Sequence, residues 1–316
     1  MRPKVKLQTS VWACLVIAAA LICNGCGKKE DSGKIEAESS VIQNQGSDTM
    51  LNLAQAWAEE YKNIEPAVSV EVSGGGSGTG IAALINGTVD IANCSRKMHD
   101  DEIASAKQNT GKEPVEFLVG YDAIAVYVHK DNHLNEISLQ QLAEVYGEGG
   151  TATKWSQLGV TVPGCSSDEI IRVSRQSNSG TYEYFREAVL GKSRDFALGS
   201  RDMNGSKDVV DLVAHTPCAL GYSGLGYNTP EVKMLRVAKS AGETAYPPAV
   251  ETTLAHTYPI ARSLFMYSLG APTSAIQKYL DWIRADAGQK VLEEIGYVPL
   301  PAAERTPAQT PGTSAQ

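Results

Sequence analysis

The sequence predicts an α/β fold with two domains. Strand-like runs alternate with helical segments along the chain, a pattern typical of α/β proteins. The 316 residues are enough for two domains of about 150 residues each. Apolar residues make up 42% and charged residues 20%, which is near the globular average and excludes a disordered chain or a coiled coil. The strand-like runs are residues 68–72, 115–118, 123–129 and 170–174.

The first element along the chain is an export signal, predicted over residues 1–25. Basic residues precede an apolar stretch at 11–23, shorter than the about 20 residues that a membrane-spanning helix needs. Cys26 follows a small residue and precedes a charged, flexible segment, an arrangement that resembles a bacterial lipoprotein cleavage site. That pattern has Leu three residues before the lipidated cysteine, where this chain has Cys23. We predict lipidation at Cys26 and a lipid-anchored tether over 26–40.

Charge and cysteine content restrict the function further. The formal charge is −8, so nucleic-acid binding through a broad positive face is excluded. Beyond the signal and Cys26, the remaining cysteines are Cys94, Cys165 and Cys218. Export permits at most one disulfide among these three, and the sequence does not pair them. We interpret them as small buried residues, with a disulfide as the alternative.

Three predicted helices begin in the same unusual way, with a loop of small polar residues. Residues 46–49 open a helix whose apolar positions recur on one face, at Met50, Leu53, Trp57 and Tyr61. Residues 74–80 and 177–181 each follow a strand and open a helix, and both contain Ser-Gly-Thr. The unpaired amides of a first helical turn and nearby hydroxyls together favour an anion. The alternative for each loop alone is ordinary helix capping.

Two arginines could supply the charge that helix ends lack. A helix terminus contributes only about 0.3–2 kcal/mol, whereas a buried dianion forfeits several kcal/mol of hydration per charge. Arg175 lies at a predicted strand end, four residues before Ser179, and Arg96 follows the second helix. The alternatives are a surface ion pair for Arg175 and surface or interdomain pairing for Arg96. The acidic chain disfavours long-range steering of an anion, so capture must be local.

Seven segments in order along residues 41–300 resemble the phosphate-binding proteins of bacterial ABC importers. They are GSDTM at 46–50, GGGSGTG at 74–80, DIANCSR at 90–96, YDAIAVYVHKDN at 121–132, RQSNSGTYEYF at 175–185, ALGYSGLGY at 219–227 and TYPIAR at 257–262.

The resemblance implies a two-lobed type II periplasmic-binding-protein fold, in which each lobe is a mixed sheet flanked by helices and two crossover strands join the lobes. The crossover strands would lie near 120–128 and 258–265. Lobe I would comprise 41–120 and 259–300, lobe II 121–258, and the Pro- and Thr-rich segment 301–316 would be a disordered tail. The implied function is extracytoplasmic binding of inorganic phosphate, without catalysis or a cofactor, for delivery to an ABC permease. The chain would be a monomer that contacts the membrane only through its lipid anchor.

The resemblance also implies a set of ligand contacts. They are Asp48, Thr49, Ser77 with Gly78 and Thr79, either Ser95 or Arg96, and Arg175 with Ser179, Gly180 and Thr181. In other members an Asp stands where this chain has Ser95, and its carboxylate accepts a hydrogen bond from the proton that phosphate keeps and sulfate lacks. We hypothesise that Asp48 replaces that carboxylate; the alternative is that Asp48 only caps a helix.

Two other kinds of function are alternatives to phosphate binding. A receptor for sulfate, molybdate or arsenate would use the same fold, and a secreted phosphatase could use the same cleft. Residues 75–79 lack the last glycine of G-x-S-x-G, Gly80 is not followed by the Lys of a Walker loop, and G-x-G-x-x-G ends on Thr79. His129 and His133 are four residues apart, but they occupy a strand end and a turn, so no metal site is predicted.

Overall fold

The computed structural model describes residues 40–305. The strands are β1 (Ser40–Gly46), β2 (Val68–Ser73), β3 (Ile91–Cys94), β4 (Pro114–His129), β5 (Glu136–Ser138), β6 (Ile171–Arg175), β7 (Arg201–Met203), β8 (Ala219–Gly224), β9 (Val232–Met234), β10 (Arg236–Ala238) and β11 (Ala261–Leu269). The α-helices are α1 (Leu51–Ile64), α2 (Ser77–Ile85), α3 (Asp100–Thr110), α4 (Leu139–Tyr146), α5 (Gly180–Phe185), α6 (Ser206–Ala214), α7 (Val250–Leu254), α8 (Ser274–Arg284) and α9 (Asp286–Glu294). The short 3-10 or π turns are Trp155–Leu158, Arg186–Leu190, Leu225–Tyr227 and Ala302–Glu304.

One mixed sheet runs through the molecule in the order β2-β1-β3-β11-β4-β8-β6-β7, with β9 also paired to β4. Strand β4 joins the two halves of this sheet. Its first part pairs antiparallel with β11, up to Ala123 opposite Ala261, and its second part pairs with β8 from Ile124 onwards. The two runs predicted at 115–118 and 123–129 are thus one strand. Strands β4 and β11 are the crossover strands that the resemblance implies.

The hydrophobic cores divide at the crossover strands, which gives the fold its two lobes. One group of buried residues extends from Ile42 to Val119 and continues from Leu264 to Tyr297, with Trp57 fully buried at its centre. The other group runs from Ala123 to Ile260. This division supports the predicted lobe limits, although Ile260, which the prediction assigns to lobe I, packs with the second group. The limits themselves stay a prediction.

The three small polar loops precede helices as the sequence predicts. Helix α1 buries Met50, Leu53, Trp57 and Tyr61, so the apolar spacing correctly identified its inward face. Helices α2 and α5 begin at Ser77 and Gly180. The loops that follow β1, β2 and β6 therefore supply the residues of the candidate site.

Two predictions about the rest of the chain need correction. Cys165 and Cys218 form a disulfide, so they are not simply small buried residues, whereas Cys94 is a buried free thiol. Burial raises the pKa of this thiol far above its ordinary value. The predicted tail from 301 also starts too early. The Tyr121 hydroxyl donates to Glu304 at 2.7 Å, which packs the chain against the domain as far as Arg305.

The signal at 1–25, the lipidation site at Cys26, the tether up to residue 39 and the tail from 306 onwards lie outside the described residues. In the part of the chain that the structure describes, no helix is both long enough and apolar enough to cross a bilayer.

Candidate functional site

Five buried hydroxyls from both lobes lie close together, and we call them the hydroxyl cluster: Ser47, Thr49, Ser77, Ser95 and Thr181. Within this cluster Ser47 donates to the Ser95 hydroxyl at 2.8 Å, and the Ser77 and Ser95 hydroxyls are 3.3 Å apart. The Thr49 and Thr181 hydroxyls are 2.6 Å apart and connect the loop after β1 with the start of α5. None of the five residues is more than 2% exposed.

Two tyrosine hydroxyls hold the loop after β1 in place. The Tyr227 hydroxyl donates to the carbonyl of Asp48 at 2.6 Å, and the Tyr297 hydroxyl donates to the carbonyl of Thr49. Each bond satisfies a backbone acceptor and attaches the loop to the rest of the protein. The hydroxyls of this loop are therefore preorganised for a ligand.

Gly180 brings the second lobe into contact with the cluster. A Cβ atom at this position would lie 2.5 Å from the Ser77 Oγ and 2.7 Å from the Ser95 Oγ, closer than real Cβ atoms come. Only glycine permits this approach. The neighbouring Ser179 has a local role, because its hydroxyl accepts from the Thr181 amide at 3.2 Å and caps α5. For Ser179, ordinary capping is what the structure shows.

Arg175 is fully buried beside the cluster. Its guanidinium donates to the Ser206 hydroxyl at 2.8 Å, the Asn204 carbonyl at 2.9 Å and an Asp48 carboxylate oxygen at 3.0 Å. Burial lowers the pKa of Arg175 from its ordinary value, and the charge of Asp48 opposes that effect. The Nε of Arg175 has no hydrogen-bond partner among the described residues, so one charged donor remains for a ligand.

Asp48 connects two of the predicted loops and does not cap α1. One of its carboxylate oxygens accepts from the Gly75 amide at 2.8 Å and the other accepts from Arg175. The residue at the N-cap position of α1 is Met50, with no side-chain capping bond. The capping alternative is therefore wrong. The predicted contact between Asp48 and a ligand proton stays a prediction.

Gly78 and Thr79 lie in a contact between loops and do not join the cluster. The Gly78 amide donates to the Asn178 carbonyl at 3.1 Å. The Asn178 side chain donates to the Gly75 carbonyl at 2.9 Å and to the Thr79 hydroxyl at 3.1 Å. These bonds join the loop before α2 to the loop before α5, one from each lobe.

Arg96 also lies outside the cluster. Of the two alternative contacts, Ser95 and Arg96, only Ser95 belongs to the cluster. The Arg96 guanidinium forms a double hydrogen bond with Glu102 at 2.7 Å and an ion pair with Glu183 of α5 at 2.6 Å. His99 also pairs with Glu183. Arg96 therefore takes part in pairing between the lobes, the alternative that its sequence position left open. Burial opposes ionisation of Glu102, but bonds from Arg96 and the His99 amide lower its pKa below the ordinary value.

A second buried ion pair, Arg262 with Asp122, was not predicted. Arg262 Nη2 lies 2.7 Å from Asp122, with both side chains at most 1% exposed, and it also donates to Thr49 and Thr181. Burial raises the pKa of Asp122, while Arg262 and the Leu225 amide act in the opposite direction. Both residues stand in segments that carry the family resemblance, but only their pairing across β4 and β11 shows that they belong to the site.

The site is electrically balanced and rich in donors. The charges of Arg175 and Arg262 are matched by those of Asp48 and Asp122. Hydroxyl hydrogens and one guanidinium N–H are the groups that remain for a ligand, and these suit the oxygens of an oxyanion. Within residues 40–305, no three His, Cys, Asp or Glu side chains are grouped to hold a metal ion.

Comparisons with known proteins identify the family of this chain. Residues 33–287 match the model of a PBP superfamily domain. The phosphate-binding protein PstS of Pseudomonas aeruginosa is 35% identical over 279 residues, covering 85% of this chain and 86% of that protein. Protein SphX of Synechococcus elongatus is 32% identical over 285 residues, covering 86% and 81%.

Two solved structures share the fold. A candidate phosphate ABC transporter substrate-binding protein of Clostridium perfringens, crystallised with bound phosphate, superposes with a TM-score of 0.73 at 25% identity, covering 83% of this chain and all of that one. An ABC-type phosphate transport receptor of Vibrio cholerae gives a TM-score of 0.64 at 26% identity, with 82% and 100% coverage. The chain therefore belongs to the PBP superfamily and, within it, to the family of phosphate-binding proteins that includes PstS.

Proposed function

We propose that this protein binds inorganic phosphate outside the cytoplasm and delivers it to an ABC import permease. The observation that carries the proposal is the buried hydroxyl cluster with Arg175 beside it, built from loops of both lobes. Membership of the phosphate-binding family supports the choice of ligand.

The proposed ligand contacts are the cluster hydroxyls, the amides near Gly180 and the free Nε–H of Arg175. Each hydrogen bond to a charged group contributes about 1.5–3 kcal/mol, so several are needed to replace the hydration of a dianion. A site without net charge suits this task, because its donors are fixed dipoles that need no reorganisation. We expect micromolar or tighter binding, a free energy of about −8 kcal/mol or below.

Binding in this proposal is non-covalent. The Ser77 and Ser95 hydroxyls bond to other hydroxyls, and Ser77 also accepts from the Ser95 amide. Among residues 40–305 no histidine or carboxylate accepts from either hydroxyl, and a serine nucleophile requires such a base. The named relatives are binding proteins. Phosphatase activity in the same cleft is therefore less well supported than phosphate binding.

Release requires the lobes to separate about the crossover strands β4 and β11. The contacts that would break are those between loops of opposite lobes, including Thr49 with Thr181, Gly78 with Asn178 and Arg96 with Glu183. Ligand shared by both lobes stabilises the closed arrangement, and opening gives access to the permease.

The proposed location is outside the cytoplasm, with a lipid anchor at Cys26 and a monomeric domain. The disulfide between Cys165 and Cys218 supports an oxidising compartment. The apolar segment at 11–23 supports export.

Calorimetric titration of the purified protein with phosphate, sulfate and arsenate tests the proposal. We expect heat from phosphate at micromolar protein and none from sulfate. Turnover of p-nitrophenyl phosphate, measured with and without divalent metal, tests the alternative that the protein is a phosphatase. No heat from phosphate, or heat from sulfate alone, would refute the proposed function.

A further inference from the structure

We propose that Arg262 is a positioning residue that determines whether hydroxyls of the ligand site donate or accept hydrogen bonds. In this proposal Arg262 donates to the Thr49 and Thr181 hydroxyls, so that the hydroxyl which also accepts from the other threonine has only its hydrogen left, and this hydrogen points to the bound anion. Asp122 holds the guanidinium in place. The inference rests on the proposed phosphate binding and adds how the site recognises the protonation state of its ligand.

Arg262 stands where it can act on both lobes. It lies on β11 directly opposite Asp122 on β4, so the ion pair bridges the two crossover strands. Arg262 Nε and Nη2 lie 3.0 and 2.7 Å from one carboxylate oxygen of Asp122, and Nη1 donates to the Ser95 carbonyl at 3.1 Å. The orientation of the guanidinium is thus determined by three bonds that do not involve a ligand.

The remaining bonds go to the two threonines that face each other across the lobes. Nη2 lies 3.1 Å from the Thr49 hydroxyl and 2.9 Å from the Thr181 hydroxyl. Its two hydrogens serve these two oxygens and Asp122, so at least one hydrogen is shared between two acceptors. A guanidinium has no acceptor, so Arg262 can only occupy a lone pair of each hydroxyl.

The contact between the two hydroxyls completes the argument. They are 2.6 Å apart, so one donates to the other. Whichever of them accepts has both lone pairs occupied, one by Arg262 and one by its neighbour, and can only donate to a further partner. A hydroxyl that can only donate favours an unprotonated ligand oxygen over a protonated one. A P–OH group that faces it would place two hydrogen-bond donors against each other with no acceptor between them.

Other charged or titratable groups surround Arg262. They are Asp122 on β4, Tyr184 on α5, whose ring lies 5.9 Å from the guanidinium carbon, and Arg175 on β6, which acts through its charge. None of these groups accepts from the Thr49 hydroxyl. The expected pH effect therefore comes from the ligand, as phosphate passes between dianion and monoanion.

The test measures phosphate affinity by calorimetry at about pH 8 and about pH 5, on either side of a phosphate ionisation. The double variant Asp122→Asn/Arg262→Gln removes the pair without leaving a lone buried charge. We expect its affinity to fall about 10- to 100-fold at the higher pH, the loss of one charged hydrogen bond. We also expect a smaller difference from wild type at the lower pH, because free hydroxyls can accept from a protonated ligand. Arg262→Lys keeps a charged, donor-only group and should lose less affinity while keeping the wild-type pH dependence.

The outcomes separate the two proposals. If the wild type binds no phosphate, the proposed function fails and this inference fails with it. If the wild type binds but the double variant keeps the wild-type dependence on pH, only the role of Arg262 is refuted. If circular dichroism shows the double variant to be unfolded, Arg262→Lys decides alone: unchanged affinity or a flattened pH dependence contradicts the inference, and a loss with wild-type pH dependence supports it.

Discussion

Gly180→Ala should weaken phosphate binding without unfolding the protein. The new Cβ would lie 2.5 and 2.7 Å from the Ser77 and Ser95 Oγ atoms, where ordinary contact begins at 3.4 Å. Overpacking of this kind costs about 1–3 kcal/mol. Because Gly180 belongs to one lobe and the two serines to the other, separation of the lobes relieves the clash. The cost therefore falls on the closed state and lowers the affinity about 5- to 100-fold.

The assay is calorimetric titration with phosphate, accompanied by thermal unfolding without ligand. Gly205→Ala is the matched control, because Gly205 also lies at the start of a helix, as the N-cap of α6, and the nearest contact of its new Cβ would be the movable Asp208 side chain at 3.2 Å. We expect the control to bind like the wild type. Unchanged phosphate affinity in Gly180→Ala would refute the close approach of the lobes at the cluster.

Three further predictions concern the surroundings of the site. Glu102→Gln should make the free energy of unfolding less sensitive to acid. The pKa of Glu102 is lowered in the folded protein, so its carboxylate stabilises the fold at pH values above the unfolded pKa of about 4.3. This stabilisation is lost as the pH falls through the folded pKa. The free energy of unfolding, measured with denaturant, should then change less between about pH 5 and pH 3 in the variant than in the wild type. The same pH dependence in both proteins would contradict a lowered pKa for Glu102. Glu183→Gln removes ion pairs between the lobes and should speed phosphate release several-fold in stopped-flow experiments. The control is Glu187→Gln, which removes an exposed ion pair with Lys192 and should leave the release rate unchanged. Equal release rates in the two variants would refute the role of Glu183. Replacing Cys165 and Cys218 by Ala removes a bridge over 53 residues and should lower the free energy of unfolding by about 2–4 kcal/mol, and a loss near zero would mean that the bridge does not stabilise the domain.

Local rules predicted much of the fold. The strand-like runs at 68–72 and 170–174 identified β2 and β6, and helical spacing identified the buried face of α1, because both depend on neighbours in sequence. The merging of two predicted runs into β4 could not be seen in this way. Gly120 and Asp122 interrupt the apolar pattern, and only pairing with β11 and β8 keeps the strand continuous.

The candidate site was predicted only in part, and the missing residues share a cause. Thr49, Ser77 and Thr181 stand in loops whose composition reveals them. Arg96 and Ser95 are adjacent in sequence, and the choice between them depends on Glu183, which is contributed by the other lobe. Arg262 and Asp122 are 140 residues apart, and no local pattern joins two such residues.

The most direct test of the central claim is a crystal structure of the protein grown with phosphate. We predict one tetrahedral anion between the lobes, with oxygens within hydrogen-bond distance of the Thr49, Ser77 and Thr181 hydroxyls and of Arg175 Nε. Phosphate bound elsewhere, with these hydroxyls still bonded only to one another, would contradict the account.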